Sequence, residues 1–135
     1  MTNLTITSVR IVESRDQFDA PSSEVFGFEM VRVDTNGAVT PANGTDATES
    51  NYAGFACIES DRVGQAITVM RDGLLDIGNA LSEVAYYAPI YLSDTDGQLS
   101  DSAGDSTVDL IIGRCVPGHG SYPTADKLLL IKKGG

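Results

Sequence analysis

The sequence has little of the material from which catalytic and cofactor sites are built. It contains no tryptophan, one histidine and two cysteines, and aromatic residues make up 7% of the chain. Histidine is the usual proton carrier near neutral pH, and the one present, His119, lies in a predicted loop between two glycines. No nucleophile elbow or metalloprotease motif is present. The sequence therefore predicts a protein that is not an enzyme and needs no cofactor or metal.

Positive charge is also scarce. Nine Lys and Arg residues stand against 19 Asp and Glu, which gives a formal net charge of −10. Nucleic-acid binding through phosphates and binding to anionic membranes both need clustered cations. Neither nucleic acid nor a membrane is therefore an expected partner.

Long apolar runs are missing as well. The longest covers residues 84–92 and is interrupted by Pro89, whereas a bilayer span needs about 20 residues. The first six residues lack the basic and apolar regions of a signal peptide, so we expect synthesis in a cytosol-like compartment. The spacing of Cys57 and Cys115 fits no zinc or redox motif. Two buried thiols are expected, and a disulfide would require the sheet to bring them together.

The residues that are abundant are typical of an all-β domain. Short β-branched runs alternate with turns rich in Gly, Ser, Thr and Asp. The predicted strands cover residues 4–12, 28–34, 52–59, 66–71, 90–93, 110–116 and 128–132. Residues 1–26 are predicted to form an N-terminal strand or arm and a polar linker, followed by a barrel- or sandwich-like β domain over residues 27–135. Residues 78–88 have helical spacing, so they predict at most one short helix, with an irregular crossover as the alternative.

Two Asx-Gly pairs, Asn36-Gly37 and Asp96-Gly97, predict hairpin turns of type I′. The second also resembles the opening of a calcium loop, but the later ligands and flanking helices of such a loop are missing. The turns belong to an internal repeat, because residues 30–40 align with residues 90–100 at a shift of 60. Both halves follow the same order of strands and turns, which predicts a duplicated half-barrel. The alternative is that the two halves only share a common turn motif.

The ordered set of segments resembles the small capsid cement, or head decoration, proteins of tailed bacteriophages. The segments that carry the resemblance are residues 30–41, 52–56, 64–73, 88–93, 110–115 and 128–131. Residues 88–93 (Ala-Pro-Ile-Tyr-Leu-Ser) match most closely, and the resemblance extends over about residues 26–132. The sequence departs from the pattern at residues 74–87 and 117–123.

The resemblance implies a non-enzymatic, structural protein of the virion. Members of this family bind the outer surface of the phage head where major capsid subunits meet, commonly as homotrimers, and stabilise the expanded shell against the pressure of packaged DNA. Alternatives are another virion component of the tail or baseplate, a carbohydrate-binding β module, or a small enzyme that depends on His119.

The N-terminal residues offer candidate contacts with such a partner. Leu4, Ile6, Val9 and Ile11 are apolar and are expected to touch the capsid or a neighbouring copy, with strand addition as one mode. The alternative is that they form the first strand of the domain itself.

Overall fold

The protein is a strongly curled, half-barrel sheet of nine antiparallel strands. The computed structural model describes residues 3–45, 50–102, 111–118 and 127–132. The strands are β1 (Arg10–Pro21), β2 (Met30–Val33), β3 (Val39–Pro41), β4 (Gly54–Ala56), β5 (Ala66–Asp76), β6 (Pro89–Leu92), β7 (Leu99–Ser100), β8 (Ile111–Pro117) and β9 (Lys127–Lys132). The described ranges contain one 3-10 turn, Gly78–Leu81, and no α-helix. The all-β prediction is confirmed.

The two halves of the chain pair their strands in the same pattern. The strand order is β3-β2-β4-β5-β9-β8-β6-β7. In each half the first strand pairs with the second and the third, and the third pairs with the fourth. The antiparallel pairing of β5 with β9 joins the halves. The internal repeat predicted from the sequence therefore corresponds to a repeated pattern of strand pairing in the two halves of the sheet.

Strand β5 holds the sheet together. It pairs with β1 along its whole length. Because a strand has only two edges, β4 and β9 share the other edge: β4 pairs with Val69 and Met70, and β9 pairs with residues 72–75. Both halves and the N-terminal segment are thus attached to one strand.

The main hydrophobic core draws on both halves of the sheet. Its members include Met30, Phe55, Met70, Ile90, Leu129 and Ile131. A second, smaller cluster lies on the opposite face of the first half, because neighbouring residues of a strand point to opposite sides: Met30 enters the main core and Val31 the second cluster. Phe18 and Ala20 of β1 pack against that second cluster.

The linker predicted for residues 13–26 is wrong, because β1 runs from Arg10 to Pro21. The strand predicted for residues 4–12 is correspondingly misplaced, since residues 4–9 belong to no strand. Most β1 residues are exposed, so the strand lacks the alternating burial that would mark it in a sequence. Its pairing with β5 contains three register irregularities, which are common at sheet edges.

Ion pairs cross the ladder between β1 and β5. Arg10 pairs with Asp76 at 3.0 Å, and Arg71 pairs with Asp16 at 2.9 Å. The Arg71 guanidinium also lies 5.2 Å from the centre of the Phe18 ring. Exposed pairs of this kind each contribute about 0–1 kcal/mol, so backbone pairing supplies most of what holds β1 in place.

The N-terminal segment also covers the two end strands of the sheet. The Leu4 N–H donates to the Leu99 carbonyl of β7 (2.8 Å), and the Ser23 N–H donates to the Val39 carbonyl of β3 (2.9 Å). Unpaired sheet edges invite pairing with other chains. Segments on either side of β1 therefore protect both ends of the sheet.

Both predicted turns lie where expected, but their type differs from the prediction. Gly37 and Gly97 have φ values of 81° and 73°, whereas neither Asn36 nor Asp96 has a positive φ. A type I′ turn needs positive φ at both central residues. In each turn, therefore, only the glycine adopts the left-handed conformation.

The helix predicted within residues 78–88 is reduced to the 3-10 turn Gly78–Leu81. Gly78 has a φ of 69°, and its N–H donates to the Asp76 carboxylate (3.0 Å). The rest of the segment is the irregular crossover that was the alternative. Tyr87 near its end is the one described non-glycine residue with positive φ.

Candidate interaction surface

The structure places one of the four predicted contact residues inside the protein and two partly against its core. Leu4 is 6% exposed and belongs to the main core. Ile6 and Val9 are partly buried against the same core. Ile11 is 39% exposed. Ile11 is thus the most exposed of the four, and Leu4 has no surface to offer a partner without rearrangement of the core.

A different set of residues presents apolar and aromatic side chains to solvent next to positive charge. We call it the aromatic–basic surface, and it consists of Tyr86, Tyr87, Ile111, Arg114, Leu130 and Lys132. Tyr86, Tyr87 and Ile111 are among the exposed large hydrophobic residues of the protein.

The floor of the aromatic–basic surface is the outer face of β8 and β9. Arg114 lies opposite Leu130 in the ladder, while the next pair, Cys115 and Leu129, belongs to the main core. A shallow hollow of about 310 Å³ opens here. It is lined by Ile111, Ile112, Gly113, Arg114, Leu130 and Lys132.

The backbone of Tyr87 is held in an unfavourable conformation. Its φ of 64° is left-handed, which for a residue other than glycine costs about 1–3 kcal/mol. Its N–H donates to the Cys115 carbonyl (2.5 Å), and its own carbonyl accepts from the Arg114 guanidinium (3.1 Å). The side chain nevertheless remains 64% exposed. The fold therefore fixes this tyrosine in place and points its ring at solvent.

Lys127 orders the neighbouring aromatic ring. Its ammonium nitrogen lies 5.1 Å from the centre of the Tyr86 ring and donates to the carbonyls of Val84 (2.5 Å) and Ser82 (3.3 Å). A cation over an aromatic face is attractive. Two adjacent tyrosines are thus presented from a crossover that is tied down at both ends.

A larger groove of about 510 Å³ lies between residues 3–8 and residues 78–84. Hydroxyl and amide side chains dominate its lining, with the carboxylates of Glu83 and Asp101. The carbohydrate-binding alternative would need aromatic rings for stacking, and the described lining contains none. The groove is suited to hydrogen bonding rather than to sugar stacking.

Asp34 and Asp96 of the two turns each accept hydrogen bonds from within the protein. Asp34 accepts from the N–H groups of Asn36 (2.8 Å) and Ala38 (3.0 Å), and Asp96 accepts from the side-chain amide of Asn43. Over the described ranges, no three His, Cys, Asp or Glu side chains are grouped so that they could hold a metal ion. His119, with Ser121 and Asp126 near it in the sequence, lies outside the described residues.

Both cysteines are free and buried, as predicted. Burial raises the pKa of Cys57 to about 11 and also raises the pKa of Cys115. The thiolate is the reactive form of cysteine. We therefore expect iodoacetamide at about pH 8 to leave the native protein unmodified and to alkylate both cysteines after unfolding in urea, as measured by intact mass. Equal rates for native and unfolded protein would contradict the burial.

Glu29 carries a partly buried carboxyl group beside Gly97 of the second turn. It accepts from the Gly27 N–H (3.2 Å) and packs where Gly97 has no side chain, since a Cβ there would overlap it. Burial raises the pKa of Glu29, and repulsion from Glu24 and Asp96 raises it further. Ionised Glu29 is therefore less favourable in the folded protein than in the unfolded chain.

The raised pKa predicts the direction of a pH effect. Protonated Glu29 contributes to the free energy of unfolding. The contribution is fully present below pH 4.5, the ordinary pKa of the group, and it is lost as the pH rises through the raised pKa of the folded protein. Glu29→Gln is expected to be more stable than the wild type near neutral pH, and the difference should disappear in acid. Urea denaturation across this range measures it, with the exposed Glu59→Gln as control. A Glu29→Gln difference that does not change with pH would contradict the assignment.

No protein-family model matches this chain, and no curated protein matches it. Across the described ranges, no helix combines the length and apolar character needed to cross a membrane. The surface geometry and the ordered segments of the sequence are therefore the features that bear on function.

Proposed function

We propose that this chain is a structural decoration protein of a tailed-phage head. It binds the outer surface where major capsid subunits meet, as a homotrimer, and performs no chemistry. The observation that carries the proposal is the aromatic–basic surface. Tyrosine and arginine are enriched among the residues that dominate protein–protein binding energy, and here the fold holds Tyr87 and Arg114 together in the open. The ordered segments that resemble head decoration proteins support the same conclusion.

The proposed mechanism is stabilisation of an assembled state by selective binding. A site that exists only when capsid subunits are correctly placed is occupied only in the expanded shell, so binding favours that shell by mass action. Contacts repeated over many copies add up even when each is modest. The net charge of −10 suits a position outside the shell, because the packaged DNA lies inside.

The fold supplies the stiffness that such a role requires. Both halves and the N-terminal strand are attached to β5, and the end strands are covered by residues 3–4 and 22–23. A body built in this way transmits load between its contacts without exposing a flat edge that would pair with other chains.

The test is a binding experiment with phage heads. The purified protein is sedimented with heads before and after expansion, and purified phage particles are analysed by mass spectrometry. We expect saturable binding to expanded heads, little binding to unexpanded heads, and the chain among the particle proteins. Absence from particles together with no binding to expanded heads would refute the proposed function.

A further inference from the structure

The aromatic–basic surface carries positive charge, whereas the protein as a whole is negatively charged. Arg114 and Lys132 supply two of the nine cations of a molecule with 19 acids. Neither forms an ion pair with a described residue, whereas the ion pairs of Arg10, Arg15 and Arg71 lie on the β1–β5 ladder. The positive charge here is thus available to a partner.

One acid lies close to this charge. Asp72 of β5 is opposite Lys132 in the ladder. Its carboxylate is 3.8 Å from Arg15 on the other side of β5. Because Asp72 also lies near Arg15, it balances the charge of Lys132 only in part. No described acid is paired with Arg114.

The hollow beside these cations has an apolar floor. Ile111 is 46% exposed at its rim and Leu130 is partly buried within it. Its volume of about 310 Å³ is at the lower end of ligand pockets, about 300–1,000 Å³. A hollow of this size suits one large side chain of a partner rather than a whole cofactor.

The corresponding outer face in the first half of the chain is already covered. There, Phe18 and Ala20 of β1 pack against the second apolar cluster. In the second half, no described segment plays this part, and Ile111 and Tyr87 stay in solvent. Among the described residues, one apolar face of the duplicated sheet is therefore left uncovered.

We propose that the aromatic–basic surface docks an acidic protein segment. The segment inserts one aliphatic or aromatic side chain between Ile111 and Leu130, pairs its carboxylates with Arg114 and Lys132, and lies against Tyr87. The local charge of Arg114 and Lys132 calls for an anionic partner, and the apolar hollow favours an acidic protein segment over a nucleic acid, because the segment can place an apolar side chain there whereas the hollow offers nothing to phosphate. The inference rests on the proposed function only in placing this segment on the phage head.

The test uses the full chain and a short fluorescent peptide of Glu and Ser with a central Phe-Leu pair. Fluorescence anisotropy should show saturable binding that weakens with salt. Affinity should fall about tenfold or more with Arg114→Glu or Lys132→Glu, a loss of about 1.4 kcal/mol or more. Arg62→Glu makes the same charge change at an exposed arginine beyond the far end of β5 and should bind within about twofold of the wild type.

Several outcomes would overturn the inference. They are no saturable binding by the wild type, equal binding of a matched Lys peptide or of single-stranded DNA, or an equal loss with Arg62→Glu. A further contradicting outcome concerns self-association. If sedimentation shows that Arg114→Glu dissociates an oligomer of this chain while peptide affinity is unchanged, the surface binds a second copy and the inference is wrong. Arg114 supports the Tyr87 backbone, so a loss of binding by Arg114→Glu has to be distinguished from unfolding of the protein. Lys132→Gln and thermal melts of the variants make that distinction.

The same variants separate this inference from the proposed function. If the wild type binds expanded heads and Arg114→Glu and Lys132→Glu bind them equally well, the docking inference is wrong and the head-binding function stands. If the wild type binds the acidic peptide but not the heads, the docking chemistry is supported and the head-binding function is wrong.

Discussion

Gly113→Ala is expected to lower the free energy of unfolding by about 3 kcal/mol or more, at the upper end of the usual cost of overpacking. A Cβ at Gly113 would overlap the backbone carbonyl oxygen of Leu130 on β9. A flexible side chain could move aside, but this carbonyl is fixed in the β8–β9 ladder. Relief would require the two strands to separate where the hollow of the aromatic–basic surface lies.

The chain offers one glycine as a matched control for Gly113→Ala and another glycine that is packed in the same way as Gly113. Gly27 has open space where a Cβ would be added, so Gly27→Ala should change stability by less than about 0.5 kcal/mol. Gly54, the equivalent glycine of β4, would overlap the Met70 carbonyl, and Gly54→Ala should behave like Gly113→Ala. Urea denaturation followed by circular dichroism measures all three. A Gly113→Ala protein as stable as Gly27→Ala would contradict the packing of β8 on β9.

Leu4→Ala is expected to cost about 2–5 kcal/mol, as for other buried leucines. Leu4 is part of the main core, and its N–H binds the Leu99 carbonyl of β7. Ile11, by contrast, is 39% exposed on β1, and Ile11→Ala should cost less than about 1 kcal/mol. Thermal and urea denaturation of the two variants compare the positions directly.

The pair of variants also decides between the two roles predicted for the N-terminal residues. If Leu4→Ala left stability unchanged and weakened binding to phage heads, Leu4 would be a partner contact on a free arm. Loss of stability with Leu4→Ala alone would assign it to the core. The second outcome is expected, because residues 3–9 connect β1 to the edge of β7.

The repeat and the turn positions could be predicted from the sequence because their signals are local. Each Asx-Gly pair is flanked by apolar residues, and these pair across the turn: Val33 with Val39 and Leu92 with Leu99. Turn type was predicted wrongly because the Asp34 carboxylate binds backbone N–H groups within the loop. That contact stabilises a longer loop than the two-residue turn.

Strand β1 could not be predicted because its stabilising contacts are not local. Arg10 and Asp76 are 66 residues apart, and Arg71 and Asp16 are 55 apart. An edge strand exposed on most of its residues has no apolar alternation, so its sequence reads as a polar linker. β1 can be recognised as a strand only from its pairing with β5.

The candidate surface was missed for a related reason. Tyr86 and Tyr87 fall in a segment with helical spacing, and a left-handed tyrosine is too uncommon to expect from a sequence. Arg114 lies in a correctly predicted strand, but nothing in the sequence indicates which face of that strand is open. The adjacent tyrosines just before Pro89 were the one available signal, since large aromatic side chains outside a core often mark interfaces.

The attachment of both halves and of β1 to a single strand has a consequence for amide hydrogen exchange. Amide protons of β1 can exchange through local opening of its ladder, because the strand is exposed on most of its residues. The amide protons of β5 face its two edges alternately. Those that face β1 exchange with that ladder, whereas those bonded to β4 and β9 are released only when the halves of the sheet detach, so their exchange reports global unfolding. Exchange rates of the β5 amides that face β4 and β9 would therefore track the stability of the entire molecule.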